Sequence, residues 1–94
     1  MKELINDPKN YLIDVRTADE YAQNFLEGSI NIPLDNLSDR IDDCRTMSKT
    51  GNLILFCRSG LRSENARNYL MQYGIKNVYN AGGLKDISLL KTNK

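Results

Sequence analysis

Four short apolar runs, separated by stretches with helical spacing, organise this chain. "YLIDV" (Tyr11–Val15) is apolar except for Asp14, the pattern of a strand covered on both faces. "SINIP" (Ser29–Pro33) predicts a second, very short strand, "LILFC" (Leu53–Cys57) the third and most apolar, and "NVYN" (Asn77–Asn80) a fourth. Between the first two, "TADEYAQNF" opens on Thr17 with Glu20 three residues later, the arrangement that satisfies free amides at a helix start; Gly28 closes this unit. "LDNLSDRI" places Leu34, Leu37 and Ile41 at helical spacing, and the polar "CRTMSKTGN" (Cys44–Asn52) predicts a helix end and a loop. A further helix is expected from about Ser63 to Tyr73, with Ala66, Leu70 and Tyr73 on one side and Gly74 as its stop. "AGGLKDISLL" turns at Gly82 and Gly83 into a last short helix, and the closing "KTNK" is expected to fray. Strands separated by helices need crossover connections, so the pattern predicts an α/β fold of three layers: a central parallel sheet with helices on both faces.

Composition narrows the reading. The 94 residues suit one domain, 1–94, with a single core and no linker or repeat. Thirteen basic residues against twelve acidic ones give a formal charge of +1, which argues against a nucleic-acid partner or a polybasic membrane anchor. The apolar runs are too short to cross a bilayer, and "MKELINDPKN" lacks the features of a secretory signal. The expected location is therefore cytoplasmic, with the periplasm as the alternative if a signal has been removed. Cys44 and Cys57 are the two cysteines, and a chain with 40% apolar residues needs no disulfide to fold. No histidine is present, so neither a zinc site nor imidazole activation of a Ser or Cys nucleophile is expected, and the metal and cofactor expectation is none.

The chemistry converges on "CRSGLRS" (Cys57–Ser63). In open parallel sheets ligands bind beyond the carboxyl ends of the strands, and Cys57 ends what should be a central one. The residues Cys57, Arg58, Ser59, Gly60, Leu61 and Arg62 must then reverse the chain and start a helix. Such a turn aims backbone N–H groups inward, with Gly60 free to take a positive φ. The result expected is an anion-binding nest at a helix N-terminus with the sulfur at its centre. A free thiol titrates near about 8.5. Amide donors, the helix N-terminus and the charges of Arg58 and Arg62 are expected to pull Cys57 well below that value and make it a thiolate nucleophile.

Two chemistries use a thiolate in such a loop. Tyrosine phosphatases separate Cys from Arg by five residues, whereas four separate Cys57 from Arg62 here. A shorter ring of amides fits the outer sulfur of a persulfide better than a phosphoryl group, which favours sulfur transfer. A small phosphatase or arsenate reductase remains the competing enzyme, and a sulfur-carrier or interaction module that merely presents Cys57 is the non-enzyme alternative.

Several motifs resemble one family. "LIDVRTADEY", with Asp14-Val15-Arg16 and Glu20-Tyr21, is similar to the first signature of the rhodaneses, "GSINIP" to the second, and "CRSGLRS" to the active-site loop of their small members. "NAGGLKDI" is especially similar to the phage-shock-protein E branch. Where many members have a histidine three positions before the glycine of the second signature, this chain has Phe25, a change expected to affect packing more than chemistry. The resemblance implies a thiosulfate sulfurtransferase in which Cys57 is catalytic and Arg58, Ser59, Gly60, Leu61 and Arg62 bind substrate. Its implied partners are a small anionic donor such as thiosulfate and a thiol or protein sulfur acceptor, with the enzyme acting as a monomer. Asp14 and Arg16 are expected to brace neighbouring loops as an ion pair, Cys44 to pack at a helix end, and Asp39, Asp42 and Asp43 to form a solvated face rather than a metal site.

Overall fold

The computed structural model describes residues 1–92. In chain order it contains helix α1 (Lys2–Asn6), strand β1 (Tyr11–Asp14), helix α2 (Ala18–Gln23), strand β2 (Ser29–Asn31), and a 3₁₀ segment (Leu34–Arg40) running into helix α3 (Ile41–Ser48). Strand β3 (Leu53–Cys57), helix α4 (Leu61–Gln72), strand β4 (Val78–Gly83) and helix α5 (Leu84–Leu90) complete it. The strands pair in parallel in the order β2-β1-β3-β4. This is the α/β arrangement expected from the apolar runs, with β3 inside the sheet.

Side-chain alternation along β3 divides the core in two. Leu53, Leu55 and Cys57 face one side, where they join Cys44 of α3, Leu37, and Ala66 and Leu70 of α4. Ile54 and Phe56 face the other, against Ile5 of α1 and Ile87 of α5. Every residue of β3 is fully buried, as expected for a parallel strand covered on both faces. The period of two also aims the Cys57 side chain toward α4 rather than α5.

Several boundaries differ from the sequence reading. Helix α1 was not anticipated; its Leu4 and Ile5 form a short apolar pair ahead of Pro8, and both pack under the sheet. Helix α3 continues to Ser48, so Cys44 lies within a helix rather than at its end. Helix α4 begins two residues early, at Leu61, and buries Ser63, Ala66 and Leu70. Tyr73 leaves that line because its backbone is no longer helical (φ −96°, ψ 15°); it is 46% exposed and packs beside Tyr69. Lys91 and Thr92 do not fray: Thr92 donates its backbone N–H to Asn6 Oδ1 at 2.8 Å, while Asn93 and Lys94 lie outside the described residues.

Strand β4 also runs beyond Asn80, to Gly83. Leu55 is opposite Asn80, but Cys57 is opposite Gly83, so β4 carries one residue more than β3 between these pairs. This bulge bends the strand toward the end of β3. The turn expected at Gly82 and Gly83 is therefore an irregular continuation of the sheet, with Gly82 at φ 87°. Among the described residues, no helix is long and apolar enough to cross a membrane.

Leu55 is a fully buried member of the larger core cluster. Leu55→Ala should cost about 2–5 kcal/mol of unfolding free energy, read from urea denaturation. A loss below about 1 kcal/mol would show that the sheet does not depend on this strand as described.

Candidate active site

Strand β1 sends its chain to β2 on one side of the sheet, and β3 sends its chain to β4 on the other. The gap between the carboxyl ends of β1 and β3 is thus the point where the winding reverses, the usual ligand position in this architecture. Asp14 ends β1 and Cys57 ends β3, with the Val15 N–H donating to the Phe56 carbonyl at 2.9 Å between them.

The loop after β3 makes the expected turn. Gly60 is at φ 103°, a left-handed conformation that an L side chain would strain. Its N–H donates to Cys57 Sγ at 2.9 Å. The first intrahelical bond of α4 runs from the Glu64 N–H to the Gly60 carbonyl, so the amides of Leu61, Arg62 and Ser63 precede the helical ladder. Cys57 is fully buried, although Arg58 and Ser59 immediately after it are exposed. A reagent must therefore reach the sulfur past the loop.

Burial is the largest single influence on the Cys57 thiol and pushes its pKa up, but donors outweigh it and leave the thiol below its ordinary value. These donors are the Ser63 hydroxyl and the backbone amides of Ser63, Gly60 and Ser59. Sequence reasoning assigned much of this work to the arginines and missed Ser63. The Ser63 hydroxyl is 3.5 Å from Sγ and also lies 2.7 Å from Asn80 Oδ1 and 3.1 Å from the Gly60 carbonyl. It has one proton for three acceptors, so donating it to a thiolate means releasing Asn80 or Gly60. Asn80 in turn donates to the Gly60 carbonyl at 3.1 Å and accepts from the Gly82 N–H at 2.9 Å. This side chain ties the loop, the head of α4 and the β4 bulge together. The available clue was Asn80's place two residues before the glycine pair.

Those glycines are explained by contact. A Cβ on Gly83 would overlap the Arg58 carbonyl oxygen, and one on Gly60 would lie 3.3 Å from the Gly82 Cα. Two stretches of backbone meet here, and larger residues would hold them apart.

The arginines have separate roles. Arg62 is paired with Glu20 of α2, its Nη1 and Nη2 donating to the two carboxylate oxygens at 2.6 and 3.1 Å. Glu20 also completes the expected cap of α2, accepting the Thr17 N–H at 3.0 Å. The Arg62 bonds, helped by Thr17 and opposed by burial, hold the Glu20 carboxyl at about 2 instead of its ordinary 4.5. Arg58 has no ion-pair partner among the described residues and lines a cavity of about 480 Å³ with Arg16, Glu20 and Lys85. Leu61, at the start of α4, is 76% exposed.

The expected Asp14–Arg16 pair is present and buried. Arg16 Nε donates to both carboxylate oxygens at 3.0 Å, and Nη2 to Asp14 Oδ2 at 2.7 Å and to the Asn24 carbonyl at 2.6 Å. It therefore braces the chain leaving α2. Phe25 is 58% exposed and stacks on Tyr21 with ring centroids 5.1 Å apart. Cys44 is buried in the core, and desolvation pushes its thiol up to about 11, making it a poor nucleophile. Asp43 pairs with exposed Arg40, and no cluster of three metal-ligating side chains occurs among the described residues.

Ser63→Ala should move the pH midpoint of Cys57 alkylation by iodoacetamide upward, toward an ordinary thiol. An unchanged midpoint would show that the hydroxyl does not stabilise the thiolate. For Glu20 the native state favours the carboxylate, whereas the unfolded chain titrates near 4.5. Its contribution to stability is thus complete above about pH 4.5 and is lost as pH falls toward 2. The stability difference between wild type and Glu20→Gln, from urea midpoints at low salt, should shrink through that window; a constant difference would argue against the pairing.

The family model described as a rhodanese-like domain matches residues 1–89. The thiosulfate sulfurtransferase PspE of Escherichia coli (strain K12) is 39% identical over 79 residues, covering 84% of this chain and 75% of that protein. A tRNA uridine(34) hydroxylase of Yersinia pestis (strain Pestoides F) is 30% identical over 86 residues, but the match spans only 24% of its length. Among solved structures, one described as "rhodanese with anions from E. coli" superposes with a TM-score of 0.73 at 36% identity, over 82% of this chain and 89% of that one.

Proposed function

The chain belongs to the rhodanese-like domain family, and from that premise we propose that it is a thiosulfate sulfurtransferase, working by cysteine-mediated sulfur transfer with Cys57 as nucleophile. The observation that carries this reading is the 2.9 Å bond from the Gly60 N–H to Cys57 Sγ at the head of α4. A sulfur that already receives amide and hydroxyl donors is prepared to hold negative charge without a neighbouring base. The name of the related E. coli protein supports thiosulfate as donor.

In the first half-reaction the Cys57 thiolate attacks the outer sulfur of thiosulfate. A new S–S bond forms to Cys57, the S–S bond of thiosulfate breaks, and its electron pair leaves with sulfite. Because Cys57 is buried, a single terminal sulfur atom is the part of the donor suited to reach it. The unpaired charge of Arg58 beside the cavity suits the dianion, while Arg62, held by Glu20, fixes the far end of the loop. In the resulting persulfide, the amides from Ser59 to Arg62 stabilise the outer sulfur. A thiol acceptor, or cyanide in an assay, then removes that sulfur and restores the thiolate in a ping-pong cycle.

Incubation with thiosulfate should raise the intact mass by one sulfur atom, and Cys57→Ser should show no such gain. No adduct on the wild-type chain, or an adduct that survives in Cys57→Ser, would remove the proposal. Turnover of an aryl phosphate without an adduct would support the phosphatase reading instead.

A further inference from the structure

Ser63 and Cys57 are both fully buried, so the Ser63 proton must be held by a protein acceptor. Three surround it: Asn80 Oδ1 at 2.7 Å, the Gly60 carbonyl at 3.1 Å and Cys57 Sγ at 3.5 Å. The Gly60 carbonyl already accepts from the Glu64 N–H and from Asn80 Nδ2, both at 3.1 Å, and these two donors occupy its two lone pairs. The choice is therefore between Asn80 and the sulfur.

Asn80 itself is fixed in orientation. The Gly82 N–H can only donate, and it meets Oδ1 at 2.9 Å; the Gly60 carbonyl can only accept, and it meets Nδ2. The second Nδ2 proton goes to Glu64 Oε1 at 3.2 Å. With these three bonds made, the one remaining lone pair of Oδ1 faces the Ser63 hydroxyl. The amide cannot flip without stranding partners on both sides.

We propose that Asn80 is the positioning residue for the Ser63 proton: it holds that proton when Cys57 carries a second sulfur and yields it to Sγ when Cys57 is the free thiolate. The inference rests on the persulfide reading above and deepens it. In the free enzyme the negative charge is on Sγ, and the hydroxyl turns toward it. Once Sγ is bonded to the outer sulfur, the charge lies on that outer atom among the loop amides, and Sγ becomes a weak acceptor. The hydroxyl then turns back to Asn80 by rotation about its C–O bond. The proton stays on oxygen throughout, so no proton or electron is exchanged in this motion. Without Asn80 the proton would favour Sγ in both states, which stabilises the thiolate relative to the persulfide.

The charged groups around this network are Asp14 with Arg16 at the end of β1, Glu20 of α2 with Arg62, Glu64 of α4 with Arg67, Arg58 in the loop, and Asp86 of α5, which accepts the Gly83 N–H at 3.0 Å. All are retained in the variants compared below, so their fields cancel. The pH midpoint of Cys57 alkylation by iodoacetamide is measured on the full chain as wild type, Asn80→Leu, Ser63→Ala and the double variant. Asn80→Leu should lower the midpoint by about half a pH unit or more, the scale of one hydrogen bond, and should leave it unmoved in the Ser63→Ala background. A midpoint that rises or stays put in the Ser63 background, or that moves equally in both, would overturn the assignment, since an Asn80 that only braced the loop would, on removal, loosen the Gly60 donor and raise the midpoint. Asn80→Asp keeps an acceptor and keeps the cycle measurable should Asn80→Leu not fold; it should raise the midpoint more with Ser63 present than with Ser63→Ala, and an equal rise would count against the proposal. At a fixed ratio of thiosulfate to sulfite, the persulfide formation constant read from intact mass should fall about threefold or more in Asn80→Leu. Failure of thiosulfate to load the wild-type chain would remove the sulfur-transfer reading and this assignment with it, whereas loading without the Ser63–Asn80 coupling removes the assignment alone.

Discussion

The contact between the Arg58 carbonyl and the bare backbone of Gly83 is the constraint on which the site depends. A side chain at Gly83 would occupy the position of that oxygen. With the contact made, the loop lies flat against the β4 bulge, Gly60 approaches Gly82, and the Gly60 N–H points back at the Cys57 sulfur. Asn80 secures the same junction from its other side by bonding both the Gly60 carbonyl and the Gly82 amide. The sulfur's environment is therefore assembled mainly from main chain, which cannot rotate away as a side chain can.

Charge in the site is sorted by burial and pairing. Asp14 and Arg16 satisfy one another away from water and serve as a fixed strut, since a buried ion without its partner would be costly. Glu20 and Arg62 form a half-exposed strut between α2 and α4. Arg58 and Lys85 remain without such partners. Positive potential is thus concentrated at the cavity, although the whole chain carries a formal charge of only +1. The two cysteines diverge for the same reason. Cys44 has apolar surroundings that oppose ionisation, while Cys57 meets donors that favour it.

The sheet was legible because a parallel strand buried on both faces leaves an unbroken apolar run, and "LILFC" is such a run. The loop was legible because a thiol, two arginines and a glycine rarely cluster without chemistry behind them. Contacts between distant segments were not. Glu20 reads as a helix cap and is one, yet nothing local shows that the same carboxylate also holds Arg62, 42 residues away. Ser63 looked like an ordinary helix residue until the strand's alternation placed the sulfur beneath it. The bulge in β4 escaped notice for a related reason: a glycine pair looks the same whether it makes a turn or admits another backbone.

Glu20's double duty has an evolutionary consequence. One carboxylate starts a helix and anchors the Arg62 end of the loop, so replacing it alone disturbs two structures at once, and replacing Arg62 alone leaves a carboxylate facing the site without its counter-ion. Drift at either position is therefore expected to be conditional on the other: descendants of this chain should keep both residues or exchange them together, a form of epistasis linking the head of α2 to the head of α4.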